Sequence, residues 1–347
     1  MNVPTRLPRG HRHDWLMRLV AAVMGGMLLS ACAAHVSVRI AASAGNTAVA
    51  SGGSVVPAQS VAATAVGLIN TTPRGGTVDL EIYELGNPSV IAALEAAQRR
   101  AVTVRVILDA TERQSEISGP ALRRAGVAVE TMRVPGGIDH VKLLVADGRV
   151  LMGGVNLGTG SSYTTDMDVE LPGSDVTEAV TVFNTDWQSA GVDSPVASGA
   201  FGPFVTGKAI EAALLRVISG AGKGTTCFVI ANYLSDWTVR DALVAAARRG
   251  ASLDVLLNPT AYGVHRADAA LVAGGAHVAM APRSPYLHAK VLACETGGVW
   301  STVIGSANFS YDGMTVNHEL DVVLSGDAAS HVGVWAEGVW PKTGTPA

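Results

Sequence analysis

The pattern of apolar and polar positions repeats once along this chain. An Ala- and Leu-rich stretch that ends in an Arg pair occurs at residues 94–101 and again at 243–250. A short apolar run follows each stretch, at residues 104–108 and 253–257, so the two copies are offset by 149 positions. The first part of each copy predicts a helix, whose Arg pair suits the negative end of the helix dipole. The apolar run predicts a strand that is covered on both faces.

Further elements flank each copy at matching positions. We predict strands at residues 78–83 and 227–233, each followed by residues that commonly start helices, Asn87 in the first copy and Asp236 in the second. Another helix and another strand follow the second strand of each copy. This alternation predicts an α/β fold with much parallel strand pairing.

The repeat organises the chain into two similar halves. We predict the first half at residues 61–175, a linker at 176–205 and the second half at 206–347. Residues 32–60, ahead of the first half, are rich in Ala, Ser, Val and Gly, which is typical of a flexible tether. The sequence also allows a first strand within this tether.

Residues 1–31 resemble an export signal. Four Arg residues precede an apolar run at 19–29, and the segment ends in Leu29-Ser30-Ala31-Cys32. A basic start, a short apolar run and small residues are typical of a bacterial signal peptide. Residues 19–31 form only about 20 Å of helix, short of the roughly 30 Å hydrocarbon core, so a membrane span is the weaker interpretation. The last four residues resemble a lipobox. They predict an envelope lipoprotein, acylated at Cys32 and anchored to the outer face of a bacterial membrane. The alternative is an ordinary signal peptide with a chance cysteine.

Composition narrows the function classes. Hydrophobic residues make up 48% of the chain and charged residues 16%, which excludes a disordered protein. Residues 1–31 carry four Arg and one Asp, so their removal changes the formal charge from −4 to −7. This acidity argues against nucleic acid as a partner. Three cysteines cannot form a disulfide scaffold. Cys227 and Cys294 are able to pair in an oxidising compartment, which the sequence leaves undecided.

The repeat extends to polar residues that carry chemistry. His140 and Lys142 lie two positions apart on a predicted strand, and so do His288 and Lys290. The period of a strand places each His–Lys pair on one face. A Gly-x-x-Asn motif and then a carboxylate follow in each half: Asn156 and Asp166, Asn308 and Glu319. If a pseudo-twofold axis brings the halves face to face, they form one site with two His and two Lys.

The pattern HxKxxxxD with a following GxxN, present twice, resembles the phospholipase D superfamily. The resemblance covers about residues 60–340, and two copies at matching offsets are specific where a single HxK is not. It implies a duplicated phospholipase D-like fold. Two α/β sandwich halves are then related by a pseudo-twofold axis, with the active site between them.

The resemblance also implies a phosphodiesterase that needs no metal or other cofactor. His140 is expected to attack phosphorus and form a phosphohistidine, while His288 acts as general acid and base. The reverse assignment stays open because the halves are so similar. The other members of the set are expected to bind phosphate oxygens or to orient the histidines: Lys142, Lys290, Asn156 and Asn308 for the phosphate, Asp166 and Glu319 for the histidines.

Three positions depart from the family pattern. Glu295 stands where the motif has Asp, whereas the first half has Asp147 there. Gly154 stands where the motif has Ser, which the second half retains as Ser306. Asp166 is shorter than Glu319 and lies one residue closer to its Asn. Asp147, Glu295 and Ser306 are expected to support the fold and the site rather than to catalyse.

The shared residues leave the substrate open among phospholipids, other lipid transfers and nucleic acids. The predicted lipid anchor and the acidic chain favour a phospholipid substrate, and hence head-group hydrolysis or transfer. An exported endonuclease is the second hypothesis, and a non-catalytic envelope protein that binds phosphate is the third. Because one chain supplies both halves of the site, a monomer is sufficient.

Overall fold

The structure is a computed structural model that describes residues 48–191 and 198–341. The predicted signal peptide, Cys32 and most of the predicted tether lie outside the described residues. Within the described ranges, no helix is both long enough and apolar enough to cross a membrane.

The N-terminal half is a seven-stranded sheet flanked by helices, with strand order β1-β8-β6-β5-β2-β3-β4. Its elements in chain order are β1 (Ser54–Pro57), α1 (Ala58–Thr71), β2 (Thr77–Ile82), α2 (Pro88–Arg99), β3 (Thr103–Asp109), α3 (Arg113–Arg124), β4 (Ala128–Met132), β5 (Lys142–Ala146), β6 (Arg149–Gly153), β7 (Thr164–Thr165), β8 (Met167–Leu171) and α4 (Val176–Ser189).

The C-terminal half repeats this plan with an eight-stranded sheet, ordered β13-β12-β11-β15-β16-β17-β10-β9, while β14 pairs with β7. Its elements are β9 (Gly199–Phe201), β10 (Phe204–Thr206), α5 (Lys208–Ser219), β11 (Thr225–Ala231), α6 (Trp237–Arg248), β12 (Ser252–Leu257), α7 (Val264–Gly274), β13 (His277–Met280), β14 (Tyr286–Leu287), β15 (Lys290–Thr296), β16 (Val299–Gly305), α8 (Tyr311–Thr315), β17 (Leu320–Leu324) and α9 (Gly326–Val339).

Each main sheet is mixed, which refines the predicted pairing. Strands β2, β3 and β4 are parallel to one another, as are β11, β12 and β13, and the other neighbours within the two sheets are antiparallel. Two tight turns join antiparallel neighbours, one between β5 and β6 and the other between β15 and β16. Asp147 and Gly148 both have positive φ angles between β5 and β6, and Gly297 and Gly298 do so between β15 and β16. Two successive residues with positive φ suit the turns that join hairpin strands.

Helix starts follow the predicted capping residues. The Asn87 side chain accepts hydrogen bonds from the backbone N–H groups of Ser89 and Val90, and α2 begins at the next position after Asn87. Asp236 caps α6 in the same way through Val239. Side-chain caps of this kind satisfy amide groups that would otherwise lack an intrahelical partner.

Three apolar clusters hold the layers together. One cluster packs α1 and α2 on the outer face of the first sheet, and a second packs α5, α6 and α7 on the outer face of the second sheet. The third is shared by the two sheets and contains residues of α4 and α9, such as Phe183 and Val332. This central layer joins the halves into the predicted paired α/β architecture. It also brings equivalent edges of the two sheets together.

The boundaries of the halves differ from those predicted. Residues 176–205, predicted as a linker, contain α4 with its buried residue Phe183, as well as β9 and β10 of the second sheet. The predicted tether includes β1, which pairs with β8, and the start of α1. Ala50 bridges to Leu324 of the second sheet. The N-terminal half therefore begins before residue 61, since apolar side chains such as Val56 find a sheet to pack on.

Cys227 and Cys294 are joined by a disulfide. They occupy directly opposite positions on the antiparallel strands β11 and β15. The tertiary structure therefore decides a pairing that the sequence left open.

Candidate active site

The two hairpins place the motif residues of each half at one sheet edge. His140 lies immediately before β5 and Asn156 shortly after β6, and these two strands run antiparallel. The start of β5 and the end of β6 therefore meet. His288 and Asn308 take the same places around β15 and β16. Hairpin geometry thus brings together the HxK and GxxN motifs of each half.

Backbone pairing then joins each HxK motif to the opposite half. The N–H of His140 donates to the carbonyl of His318 at 2.8 Å, and Asp139 bridges His318 in parallel orientation. In the related position, β14 pairs in parallel with β7, and the N–H of His288 donates to the carbonyl of Thr165 at 3.1 Å. The residue after His318 and the residue after Thr165 are the two carboxylates of the predicted site.

Each histidine contacts the carboxylate that belongs to the opposite half. His140 Nδ1 lies 2.8 Å from Oε2 of Glu319, which belongs to the second half. His288 Nδ1 lies 2.7 Å from Oδ2 of Asp166, which belongs to the first half. The centroids of the two imidazole rings are 6.4 Å apart. Because an ionised carboxylate only accepts hydrogen bonds, each pairing favours a proton on Nδ1 while the acid is ionised. Nε2 is then the ring nitrogen that can act on a substrate, and Nε2 of His288 also lies 3.2 Å from Nζ of Lys290.

The two lysines lie behind the histidines and are buried. Lys142 Nζ donates to the carbonyl of His140 at 2.5 Å, and Lys290 Nζ donates to the carbonyl of His288. Burial lowers the pKa of Lys142 to about 7, with a further contribution from the charge of Lys290. Burial also lowers the pKa of Lys290. A bound phosphate would favour the charged form of both lysines, because an anion stabilises the ammonium group.

Both histidines are held towards the neutral form, but in different surroundings. Burial lowers the pKa of His140 well below its usual value, and the charges of Lys142 and Lys290 add to this effect. Burial and Lys290 also lower the pKa of His288, while the hydrogen bond to Asp166 opposes them. The exposed fraction of the side chain is 7% for His140 and 18% for His288. His288 is therefore the more accessible ring.

The two partner carboxylates differ in charge state. Burial raises the pKa of Asp166, but the hydrogen bond with His288 and the charge of Lys290 outweigh it, so this pKa is lowered overall. Burial raises the pKa of Glu319 to about 7, although Lys142 opposes the shift. Asp166 is therefore ionised across the neutral range, whereas Glu319 changes its charge within it.

The Gly154–Ser306 difference follows from the space around these carboxylates. Ser306 Oγ donates to Glu319 Oε2 at 2.6 Å and accepts from the N–H of Leu320 at 2.9 Å. A Cβ atom at Gly154 would lie 2.5 Å from Oδ1 of Asp166, so a serine does not fit without a shift. The shorter acid of the first half accepts from the N–H of Met167 at 2.8 Å instead.

The two asparagines lie at the same edge with different partners. Oδ1 of Asn308 accepts a hydrogen bond from Asn232 at 3.3 Å, whereas Oδ1 of Asn156 is buried without a partner among the described residues. Asn156 and His288 line a cavity of about 160 Å³, together with Glu84, Gly160, Ser161 and Thr164. A larger cavity of about 410 Å³ lies beside the β5–β6 turn and contains no His, Lys or Asn of the paired set.

Asp147 and Glu295 lie away from this site. Asp147 forms the turn at the far end of β5, with φ 53°. Glu295 lies near the far end of β15 and accepts from the N–H of Gly298 in the equivalent turn. Asp147 is therefore part of its turn, whereas Glu295 lies on the strand and its longer side chain reaches the turn.

Several neighbours of the site were not predicted from the sequence. The Tyr83 ring lies 5.2 Å from that of His140 and 5.3 Å from Lys142 Nζ, while Tyr286 lies 6.2 Å from His288. Nothing in the local sequence distinguished these tyrosines. Asp168 and Asp321 could have been found from the sequence, because each lies two residues after a carboxylate that pairs with a histidine. Their Oδ1 atoms accept from the N–H groups of Val155 and Ala307, both at 3.0 Å, and so hold the GxxN loops.

A protein-family match covers both halves of the chain. Residues 68–187 and 214–340 match a family described as cardiolipin synthase, PLD-like domain, so the family match is itself duplicated and covers more than half of the chain. No curated protein sequence matches the chain significantly.

Two solved structures with a TM-score of 0.60 share the fold at low sequence identity. Polyphosphate kinase from Porphyromonas gingivalis has a TM-score of 0.60 and 18% identity, and the match covers 78% of this chain but only 44% of that one. Phosphatidylserine synthase from Haemophilus influenzae Rd KW20 has a TM-score of 0.60 and 9% identity, with coverage of 82% and 85%. The phospholipase D family member Nuc from Salmonella typhimurium matches 40% of this chain and 94% of its own, at 19% identity and a TM-score of 0.34.

Proposed function

Because the chain belongs to the phospholipase D-like family of the cardiolipin synthase type, we propose that it is a phosphodiesterase that hydrolyses or transfers phospholipid head groups. The observation that carries this proposal is the pair of facing imidazoles, 6.4 Å apart, each bonded through Nδ1 to a carboxylate of the opposite half. A phosphodiester between the rings would meet a nucleophile on one side and a proton donor on the other.

In the first step, Nε2 of His140 attacks phosphorus, and the bond from phosphorus to the head-group oxygen breaks. The departing alkoxide takes a proton from Nε2 of His288, so a phosphohistidine and a free alcohol result. Lys142, Lys290 and the two asparagine amides stabilise charge on the non-bridging oxygens. In the second step, His288 removes a proton from water or an alcohol, whose oxygen attacks phosphorus and releases His140.

The assignment of His140 as nucleophile rests on its surroundings. It is the more buried histidine, and its lowered pKa keeps Nε2 unprotonated. His288 lines the cavity, and its partner Asp166 is ionised. The carboxylate stabilises the imidazolium form, in which His288 must enter the first step in order to donate a proton from Nε2. The differing environments therefore support the division of roles that the sequence implied.

Acidic groups beside the site favour lipid over nucleic acid. Glu84 lines the cavity, and the negative charges of Asp109, Glu112 and Glu84 act on nearby Tyr83. A nucleic acid carries a phosphate charge at every nucleotide and would meet these carboxylates. A phospholipid places a single phosphate in the site.

Glu84 also suggests which head groups fit. A Cβ atom at Gly158 would lie 2.3 Å from its carboxyl group, so glycine at this position lets the carboxylate lie against the loop that follows Asn156. A carboxylate in the same cavity as His288 and Asn156 suits an ammonium group linked to the phosphate. Amino-alcohol head groups are therefore the expected substrates.

Exposed aromatic residues on the same edge suit a lipid surface. Trp237, Tyr262 and Tyr311 are 69%, 87% and 68% exposed, and they follow the ends of β11, β12 and β16. Their segments meet at Ser235, whose N–H donates to the carbonyl of Phe309 and whose Cβ lies near Gly263. We call these three aromatic residues the aromatic rim. Trp and Tyr favour the membrane–water interface because one end of each ring system is apolar and the other polar.

We further propose an exported lipoprotein that is anchored through Cys32 and works as a monomer. The Cys227–Cys294 disulfide supports export, since such bonds persist in oxidising compartments. One chain supplies both histidines, so a second copy is not needed to build the site.

The test is head-group release from vesicles that contain phosphatidylethanolamine, phosphatidylcholine or phosphatidylglycerol, in the presence and absence of EDTA. Single-stranded DNA is assayed in parallel, and His140→Ala is the control. We expect metal-independent release that is lost in the variant and is fastest from the two amino-alcohol lipids. The Glu84→Gln variant should lose this preference.

DNA cleavage without lipid turnover would replace the proposal with the nuclease hypothesis. Binding of phosphate without turnover of either substrate would favour the non-catalytic hypothesis.

A further inference from the structure

A second group of polar residues lies directly behind one of the two histidine–carboxylate pairs. It consists of Glu81 on β2, Asp139 before β5, Asp186 on α4 and His318 before β17. Each is buried, with at most 1% of its surface exposed. Ligand atoms of Glu81, Asp139 and His318 all lie within 4.8 Å of one another, and Asp186 Oδ2 lies 3.0 Å from His318 Nε2. We call these four residues the buried acidic cluster.

Most side-chain polar atoms of this cluster have no hydrogen-bond partner among the described residues. Neither carboxylate oxygen of Glu81 or Asp186 makes a hydrogen bond, nor do Oδ2 of Asp139 and Nε2 of His318. The 3.0 Å approach of His318 to Asp186 lacks hydrogen-bond geometry. Burial of polar atoms without hydrogen-bond partners is unfavourable, and more so if the atoms are charged. Something must therefore compensate them.

Positive charge from neighbouring side chains is insufficient. His318 is the cation that contacts Glu81 and Asp186 within the described part of the chain. The guanidinium of Arg105, on the adjacent strand β3, is committed to both oxygens of Asp79, each at 2.7 Å. Three carboxyl groups beside one imidazole leave the cluster with excess negative charge unless one of the acids keeps its proton.

The other half of the molecule shows that the fold does not need these charges. Glu81 lies opposite Leu143 in the sheet, as Ile230 lies opposite Val291. The Asp139–His318 bridge is matched by the pairing of Leu287 with Thr165. Asp186 occupies the place on α4 that Ala336 occupies on α9. Three acids thus correspond to residues of the shared apolar core: Ile230, Leu287 and Ala336.

We propose that the buried acidic cluster binds a divalent transition-metal ion, Zn²⁺ or Mn²⁺. His318 Nε2 and carboxylate oxygens of Glu81, Asp139 and Asp186 would be the ligands. One imidazole with three carboxylates suits these ions better than Ca²⁺ or Mg²⁺, which prefer oxygen alone. Tetrahedral ligands at about 2.0–2.2 Å from zinc lie about 3.3–3.6 Å apart, so ligand atoms that are now up to 4.8 Å apart must move together by about 1 Å when the ion binds.

The location of the ion gives it a structural role. Asp139 and His318 immediately precede His140 and Glu319, and they come from different halves. A metal ion that joins them would fix the His140–Glu319 pair and tie the halves together at that point. It would position catalytic residues and take no part in the reaction, so the proposal is independent of the substrate.

The first experiment is metal analysis of the purified full-length protein by inductively coupled plasma mass spectrometry. We expect about one equivalent of zinc or manganese per chain. Unfolding with a chelator and refolding without metal should lower Tm by several degrees, and added Zn²⁺ or Mn²⁺ should restore it. A protein without stoichiometric metal, whose Tm does not respond to either ion, would show that the cluster shares protons instead.

A matched variant replaces each residue of the cluster with its counterpart in the other half: Glu81→Ile, Asp139→Leu, Asp186→Ala and His318→Thr together. We expect it to fold without metal and to melt at a temperature that chelation does not change. The single variant His318→Gln covers the case in which the fourfold variant does not fold, and it should lose most of the bound metal. Retention of one equivalent of metal by either variant would overturn the assignment.

Discussion

The two halves of the active site share a backbone frame but hold their histidines differently. His140 is nearly enclosed, and its partner Glu319 has a pKa raised to about 7 and accepts from Ser306. His288 is more accessible, and its partner Asp166 has a lowered pKa and lies against Gly154, where no serine fits. Duplication thus supplied two equivalent positions, and local burial made them chemically unequal. Such inequality is what a reaction with one nucleophile and one acid requires.

The largest expected effects separate the two histidines. His140→Ala and His288→Ala should each lower kcat/KM for a phospholipid by about 10⁴-fold or more, since both covalent and acid–base catalysis are required. A substrate with a nitrophenolate leaving group needs no proton donor. It should restore single-turnover release in His288→Ala but not in His140→Ala. Rescue of His140→Ala instead would exchange the two roles.

Replacement of the partner carboxylates should reveal their different charge states. Glu319 is protonated below about pH 7 and ionised above it. Glu319→Gln should therefore resemble the unmodified protein at pH 6 and lose about 10²-fold in kcat/KM by pH 8.5. Asp166 stays ionised because its pKa is lowered, so Asp166→Asn should lose activity by a similar factor at every pH from 5 to 9. A pH-rate profile checks both variants, and a pH-independent loss in Glu319→Gln would contradict this comparison.

A smaller effect is expected from exchange of the Ser and Gly positions. Ser306→Ala removes the hydroxyl that bridges Glu319 and the N–H of Leu320, which should cost about 1–3 kcal/mol in the free energy of unfolding. Gly154→Ser should not restore symmetry. It should displace Asp166 from His288 and lower activity about tenfold or more. Denaturant unfolding and kcat/KM measure the two effects, and an unimpaired Gly154→Ser variant would refute the steric explanation.

The smallest expected effect concerns the aromatic rim, whose three equivalent positions in the first half are not aromatic. The equivalent positions there are Pro88, Arg113 and Thr159. Trp237→Ser should raise the apparent KM on vesicles about three- to tenfold and leave kcat on a short-chain monomeric lipid unchanged. Val299→Ser is the matched control, since Val299 is 66% exposed but lies at the far end of β16. Equal effects of the two variants on vesicle turnover would remove the rim from the proposal.

Most residues of the candidate site could be predicted because the same residue types recur at matching positions of the two halves. His140, Lys142 and Asn156 recur as His288, Lys290 and Asn308, and all six lie at the paired sheet edges. The carboxylates were found too, but not their exchange, since sequence order does not say which half a side chain faces. Tyr83 and Tyr286 were not predicted because a tyrosine at a strand end has no distinctive spacing. Helix α4, which lies in the predicted linker, was not foreseen because its buried face packs on the central core, to which both sheets contribute.

The sequence alone determined the duplicated α/β plan, the two strands that carry the HxK motifs and the class of chemistry. Hydrophobic periodicity and motif spacing are local properties, so they can be recognised without knowledge of the fold. The tertiary structure decided what depends on contacts across more than 100 residues, such as the pairing of His140 with Glu319 and of His288 with Asp166. It also decided that Glu81 and Asp186 meet His318 in the interior. Charge states followed from burial, because the free energy of an ionised group depends on the groups and the solvent that surround it.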